Sequence, residues 1–291
     1  MRAFAYERPA RLDDAVALLV RYGADARLLA GGTDLIIRLR DGTFRPRLVV
    51  DLKGIAELDG EVRVLDGGGL RIGALATMTP IADHPWIQSA HQALAEAAAV
   101  VGSVQIRNRA TLAGNVCNAS PAADTMPSLL VDEAVVEVVG PSGRRRIAIN
   151  DWVVRSGVTT LAPGELLIAV ELPPPPGPRG TVQLRRTRRR GHDLASVTLA
   201  CSVAADGVTR LAYGSMGPRP LLVIDETGVL ADPAASDQSR MERLQALFAG
   251  AAPSPRSMRA SPDYRLAMLH LLGLRAVRIA AERLRQGAPV R

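Results

Sequence analysis

Between Leu28 and Gly42 the chain reads LLAGGTDLIIRLRDG. An apolar run stops at Gly31 and Gly32, a hydroxyl (Thr33) and a carboxylate (Asp34) follow, and apolar residues then resume with helix-spaced charges. Paired glycines admit positive φ and let another group approach the backbone closely. Successive N–H groups in such a turn form a concave nest that can hold a phosphate oxygen. A second stretch, ATLAGN, repeats the chemistry with the hydroxyl of Thr111, the open backbone of Gly114 and the amide of Asn115. Two phosphate-sized cradles suit a diphosphate. Neither has the GxGxxG form and no GxxxxGK[ST] occurs, which disfavours a Rossmann site and a P-loop. Taken alone, each segment reads equally well as a tight strand-to-helix turn with no ligand.

The other reactive residue types do not group. Cys117 and Cys201 are far apart and outside any CxxC, so an iron–sulfur cluster or structural zinc held by this chain alone is disfavoured. His84, His91, His192 and His270 are scattered, and Ser103 and Ser120 lack the GxSxG elbow of a serine hydrolase. Trp86 and Trp152 read as core or interface residues, and Asp51 and Lys53 as strand terminators. The net charge of +7 would suit nucleic acid or an acidic partner, but Lys53 is the only lysine, so the excess is a general arginine bias. The dense run RRTRRR, Arg185 to Arg190, has no interleaved aromatic residue on which a base could stack, and nucleic-acid binding is disfavoured.

Elements that could position the glycine segments follow from the apolar spacing. Leu12, Val16, Leu19 and Val20 predict a helix, with Asp13 as its cap and Gly23 as its stop. ARLLA (26–30) and RLVVDL (47–52) predict strands on either side of the first segment. EVRVL and LRIGAL flank Asp66 to Gly69 as a hairpin, and HQALAEAAAVVG predicts a helix. Ser103 to Leu130, with Gly114, Asn118, Pro121 and Pro127, reads as a long ordered loop without regular elements. AVVEVVGPSGRRRIAI is a second hairpin, and ELLIAVELP closes this part of the chain. PPPPGPRG (173–180) is a stiff spacer that neither a helix nor a central strand accepts, and it marks a domain boundary. Beyond it, strands on either side of Asp206 and Gly207 and helices over 241–248 and 263–285 predict a small α+β domain. At 291 residues two domains are expected. No apolar run is long enough to span a bilayer, and MRAFAYERPARLDD lacks the pattern of an export signal, so a cytoplasmic location is the expectation.

In order along the chain, LLAGGTDL, TLAGNVCNASPAADTMPSLL, a GPSGRR hairpin, LAPGELLIAVELP, RTRRRGHDLASV and RASPDYR resemble the FAD-binding subunit of molybdenum hydroxylases. That family includes carbon monoxide dehydrogenase medium subunits and xanthine dehydrogenase flavin domains. The resemblance covers nearly the whole chain. It implies an α+β fold: a two-part FAD-binding domain of the vanillyl-alcohol-oxidase (PCMH) type over 1–175, split near 55–60, and a carboxy-terminal α+β domain of the carbon monoxide dehydrogenase flavoprotein type over 180–291. It implies that Leu28, Leu29, Ala30, Gly31, Gly32, Thr33, Asp34 and Leu35 bind the FAD diphosphate. Thr111, Leu112, Ala113, Gly114 and Asn115 would then meet the same cofactor. By the same resemblance Asp124 stands near the sugar or adenine end, Leu167 packs on the flavin side, and Arg185 lies near the flavin ring.

Two positions depart from the family pattern. Its second motif commonly reads TIGGN, and Ala113 replaces the first of those glycines, which predicts backbone strain if φ must be positive there. Arg185 replaces a common lysine. The function implied is electron transfer: FAD takes electrons from [2Fe–2S] clusters of a small partner subunit, with substrate oxidised at a molybdopterin-binding large subunit, commonly in a dimer of heterotrimers. The departures keep open an FAD- or nucleotide-binding assembly module without turnover, and a stand-alone flavin dehydrogenase is the third reading.

Overall fold

The computed structural model describes residues 2–188 and 193–287. Its first sheet is built by β1 (Ala5–Glu7), α1 (Leu12–Tyr22), β2 (Ala26–Leu29), α2 (Leu35–Arg40) and β3 (Leu48–Asp51). The three strands are parallel in the order β1-β3-β2, with Ala5 and Ala26 both opposite Leu48. In α1, Leu12, Ala15 and Leu19 turn inward at helical spacing and Gly23 follows with φ of 50°. Asp13 is not the cap: Arg11 holds that position with extended backbone, and Asp13 and Asp14 lie in the first turn, where a carboxylate favours the helix dipole.

The second sheet gathers strands from distant parts of the chain. β4 (Val62–Val64) and β5 (Leu70–Gly73) form the expected hairpin. Six short helices follow: α3 (Met78–Asp83), α4 (Pro85–Ala90), α5 (Gln92–Ala99), α6 (Val104–Arg107), α7 (Leu112–Asn118) and α8 (Thr125–Val131). After them come β6 (Val135–Gly140), β7 (Gly143–Ala148), the small pair β8 (Val153–Arg155) and β9 (Val158–Thr159), and β10 (Leu166–Leu172). The antiparallel order is β4-β5-β10-β6-β7, which puts the apolar β10 at the centre.

The stretch from Ser103 to Leu130 is therefore not an irregular loop. Its residues fold into α6, α7 and α8, each only one or two turns long. The Ser103 and Thr111 hydroxyls accept the N–H groups of Ile106 and Gly114 and so start α6 and α7. Pro127 falls in the first turn of α8, where no helical hydrogen bond is lost.

Beyond the proline-rich spacer, β11 (Arg179–Thr187), β12 (Ala195–Ala204), β13 (Thr209–Gly214) and β14 (Leu221–Asp225) form an antiparallel sheet in chain order. The helices α9 (Asp237–Leu247) and α10 (Pro262–Arg285) complete this part of the fold. Ser261 caps α10 and Pro262 takes its first position, so the helix has a defined start. Its face carrying Leu269, Leu272, Ala276, Val277 and Ala280 packs into a core around Tyr213 and Phe248, whose rings meet edge to face at 5.1 Å. Gly180 is required there: a Cβ on it would lie 1.9 Å from the Ala280 carbonyl oxygen.

Buried and half-buried polar contacts join this sheet to α5 and α8. Asp132, just after α8, is buried between His91 Nδ1 at 3.0 Å and Arg179 at 2.7 Å. Glu96 on α5 accepts the Gln183 N–H at 2.8 Å and pairs with Arg283 of α10. The Thr181 hydroxyl accepts the Ala93 N–H. No helix among the described residues is long and apolar enough to cross a membrane.

Burial raises the Asp132 pKa, but the Arg179 and His91 charges and hydrogen bonds outweigh it and hold the carboxyl below its ordinary value. A depressed folded pKa means that the stabilisation is present above the unfolded value of about 3.9 and is lost as pH falls through the folded value. Asp132→Asn is expected to lose about 3 kcal/mol at pH 7, since it leaves a buried arginine unpaired. Urea midpoints measured against pH should also show a shallower acid slope in the variant, and an unchanged slope would remove this pair from the account of acid stability.

Candidate FAD-binding cleft

The first glycine segment is the turn from β2 into α2. Gly31 sits where this turn touches the chain entering α7: a Cβ there would fall 1.9 Å from the Arg109 carbonyl oxygen and 3.1 Å from Ala110 Cα. Its missing side chain thus makes room for a second protein backbone. Gly32 has φ of 78°, a left-handed conformation that turns the chain into α2. Its carbonyl accepts the Ile36 N–H at 3.0 Å. The N–H groups of Gly32, Thr33 and Asp34 find no protein acceptor among the described residues. Lys53 does more than end a strand: its Nζ donates to the Ala30 carbonyl at 3.2 Å and to Asp51 at 2.6 Å, bracing the turn from behind.

The second segment is hooked by backbone alone to the chain between β5 and α3. Met78 N–H donates to Ala110 O and Leu112 N–H to Ala76 O, at 3.0 and 3.1 Å, around a bridge between Thr77 and Thr111. The Thr111 hydroxyl accepts the Gly114 N–H at 3.0 Å, and a Cβ on Gly114 would press to 2.9 Å from that oxygen. Ala113 lies inside α7 with ordinary helical backbone, so the strain expected from its methyl group does not arise. From beneath, the buried Trp152 indole donates to Val116 O at 3.0 Å and holds α7 in place. Asn115 accepts the Thr125 hydroxyl at 2.6 Å, tying the cleft wall to α8.

Between the two segments lies a cleft of about 540 Å³. Leu28, Ala30, Gly31, Gly32, Thr33, Asp34, Leu35, Thr111, Ala113, Gly114, Asn115 and Leu167 all line it. Leu29 and Leu112 do not. Leu29 packs with the small core of Leu35, Leu39 and Val49, and Leu112 is fully buried. Asp124 and Arg185 also stand outside the lining, joined to each other at 2.9 Å. Burial raises the Asp124 pKa against the opposing pull of Arg185, and its second oxygen has no partner. Of the basic run, Arg189 and Arg190 lie outside the described residues, as does His192.

Several lining residues were not singled out from the sequence. Arg38 donates to Asn118 Oδ1 at 2.6 Å, and its guanidinium lies 5.0 Å from the centre of the Phe44 ring. Arg27 meets the same ring at 4.7 Å. Cys117 and Gly157 complete this side. The helical spacing of Arg38 behind the glycines was a usable signal for it; Arg27, Phe44 and Asn118 are brought together only by tertiary packing. Burial pushes the Cys117 thiol up to about 12, so it is a neutral wall and not a nucleophile.

The donor set fits a dinucleotide with a charged middle and apolar ends. Open N–H groups at Gly32, Thr33 and Asp34 face the same cleft as Arg27 and Arg38, and Leu28, Leu52, Val101, Ile106 and Leu167 supply apolar walls. Such a site defines a flavin- or nucleotide-binding protein. Residues 2–175 match the family model of the FAD binding domain in molybdopterin dehydrogenase, and residues 182–280 that of the CO dehydrogenase flavoprotein C-terminal domain. The chain belongs to the family of FAD-binding medium subunits of molybdenum hydroxylases, and as such is a component of an oxidoreductase. It is 35% identical over 75% of its length to the putative xanthine dehydrogenase FAD-binding subunit of Escherichia coli K12, covering 75% of that protein. It is 32% identical to the carbon monoxide dehydrogenase medium chain of Afipia carboxidovorans, covering 97% of this chain and 98% of that one. A solved structure of reconstituted CO dehydrogenase from Oligotropha carboxidovorans superposes with a TM-score of 0.89 at 29% identity, over 97% of this chain and 99% of the other.

If the contact at Gly31 is what shapes the cleft, Gly31→Ala should destabilise the chain with no flavin present. About 3 kcal/mol is expected from forcing a methyl group against backbone, read as a shift in urea midpoint. Unchanged stability with lost FAD binding would instead mean that the side chain is absent for the ligand's sake.

Proposed function

We propose that this chain relays electrons, by way of FAD held in the cleft, from [2Fe–2S] clusters of a small partner subunit to an external acceptor, with substrate oxidation in a molybdopterin-binding large subunit. The observation that supports it is the chemistry of the cleft lining. It offers anion-binding donors and apolar walls, its cysteine is an un-ionised thiol, and Asp34 is its one carboxylate among the described residues. A site of that kind holds and insulates a redox group and carries no machinery for acid–base or nucleophilic work on a substrate. The two cysteines of this sequence are too few for the four thiolates of a cluster, which agrees with placing the clusters in a partner.

In this reading the N–H groups of Gly32, Thr33, Asp34 and Ala113 bind diphosphate oxygens, and Arg27 and Arg38 neutralise their charge. Asn118 keeps Arg38 turned to the cleft, and Leu28, Leu35 and Leu167 exclude water from the rings. FAD bound there would supply the capacity to accept electrons singly and release them in pairs. The two chain divisions, 1–175 and 180–291, would act as a cofactor domain and its cover, and the unit would assemble as a dimer of heterotrimers in the cytoplasm.

The test is a visible spectrum of the protein incubated with FAD, desalted, and reduced anaerobically with dithionite. Retained flavin bands that bleach and recover are expected, and Arg38→Ala should weaken FAD retention about tenfold or more. If the chain co-expressed with its partner subunits also carries no flavin, the relay reading fails and a binding module without turnover replaces it.

A further inference from the structure

Behind the first glycine turn stands the only lysine of the sequence, one among 36 basic residues that are otherwise all arginine. Lys53 follows Asp51, which closes β3, the central strand of the first sheet, level with Leu29 of β2. Asp51 is 4% exposed. Its Oδ2 accepts the Tyr6 hydroxyl from β1, and its Oδ1 accepts the Lys53 backbone N–H at 3.0 Å and Nζ at 2.6 Å. Burial alone would raise the Asp51 pKa, but the hydrogen bonds from Lys53 and Tyr6 outweigh it and hold the carboxyl below its ordinary value. The ammonium group is thus gripped by a carboxylate that is itself fixed between two strands.

The second acceptor of that ammonium group is the Ala30 carbonyl, at 3.2 Å. Ala30 is the first residue past β2, and the peptide that joins it to Gly31 is trans, so the Gly31 N–H points opposite to the Ala30 C=O. Ala30 and Gly31 line the cleft and Lys53 does not. Drawing the carbonyl back to Lys53 therefore turns the Gly31 N–H the other way, and that N–H has no acceptor among the described residues. The geometry favours lysine at this one basic position. A tetrahedral ammonium donates to a carboxylate and a carbonyl in different directions, while a guanidinium donates within a single plane.

We infer that Lys53 is a positioning residue for the cofactor: by holding the Ala30 carbonyl it aims the Gly31 N–H into the cleft and adds that donor to the diphosphate cradle of Gly32, Thr33 and Asp34. Lys53 touches no ligand in this arrangement and acts through one peptide plane. Its positive charge also polarises that peptide, which makes the N–H on the far side a stronger donor to an anion. The inference rests on the reading of this turn as a diphosphate cradle and is independent of where the electrons come from or go.

The test is calorimetric titration of the full chain with inorganic pyrophosphate and, separately, with FAD. Lys53→Met and Lys53→Cys should each weaken both ligands about tenfold, the scale of one charge-assisted hydrogen bond. Treating Lys53→Cys with bromoethylamine puts a primary amine back at nearly the original reach. Burial raises the pKa of both native thiols, Cys117 and Cys201, so the new thiol is the one that reacts, and mass spectrometry counts the addition. Most of the lost affinity should return, and capping the same thiol with methyl methanethiosulfonate, which adds no donor, should return none. Urea midpoints taken alongside establish that every form is folded during titration. Binding indifferent to Lys53→Met, or lost and not recovered by the amine, overturns the inference. Pyrophosphate binding that depends on Lys53 in a chain that does not hold FAD supports the inference while the cofactor reading fails; FAD held equally by every form does the reverse. If the unsubstituted chain binds neither ligand, there is no cradle and the inference falls with it.

Discussion

Everything at the cleft depends on one close approach, that of Gly31 to the Arg109 carbonyl. The distance available for a Cβ, 1.9 Å, leaves room for a hydrogen and nothing larger. Because the two backbones touch, the turn after β2 and the turn before α7 face each other across a gap bounded by main chain, and main chain is stiffer than side chain. The open N–H groups of Gly32, Thr33 and Asp34 are thereby held in place before any ligand arrives, which is the condition for binding an anion without a large ordering cost. Lys53, Trp152 and Thr111 each secure one side of this arrangement from a different element.

The carboxy-terminal sheet is attached by a different kind of force. Its contact with α5 and α8 is rich in charge: the buried Asp132 with His91 and Arg179, Asp124 with Arg185, and the partly exposed pair of Glu96 with Arg283. Such pairs contribute little net stability compared with apolar packing, but each is strongly destabilising when one partner is removed. They fix which surface meets which, while the attachment energy comes from the apolar residues around them.

Much of this was legible in the sequence because it is periodic or local. Strands β2 and β3, both hairpins and α10 follow from the spacing of apolar residues, and the glycine segments from turn chemistry. The stretch between Ser103 and Leu130 was misread because α6, α7 and α8 have four to seven residues each, too few to display a helical repeat, and their capping hydroxyls resemble turn residues. The Arg27–Phe44–Arg38 group and the Asp124–Arg185 pair were hidden for another reason. Nothing local distinguishes Asp124 from a surface acid until β11 delivers an arginine from 61 residues away. The reason for Gly31 was hidden in the same way: a glycine needed for a ligand and one needed for a neighbouring backbone look alike in one dimension.

The bond from Arg38 to Asn118 spans 80 residues of chain, and the walls on which these two residues stand are equally far apart in sequence. During synthesis, therefore, the first wall emerges long before the second, and for that interval it is an isolated turn with half a cradle. Cofactor capture is a late event, available only to chains that have closed their long-range contacts. Occupancy by flavin is in this sense a certificate of correct tertiary order, and an assembly that accepts only flavin-loaded subunits would reject misfolded ones without any separate inspection.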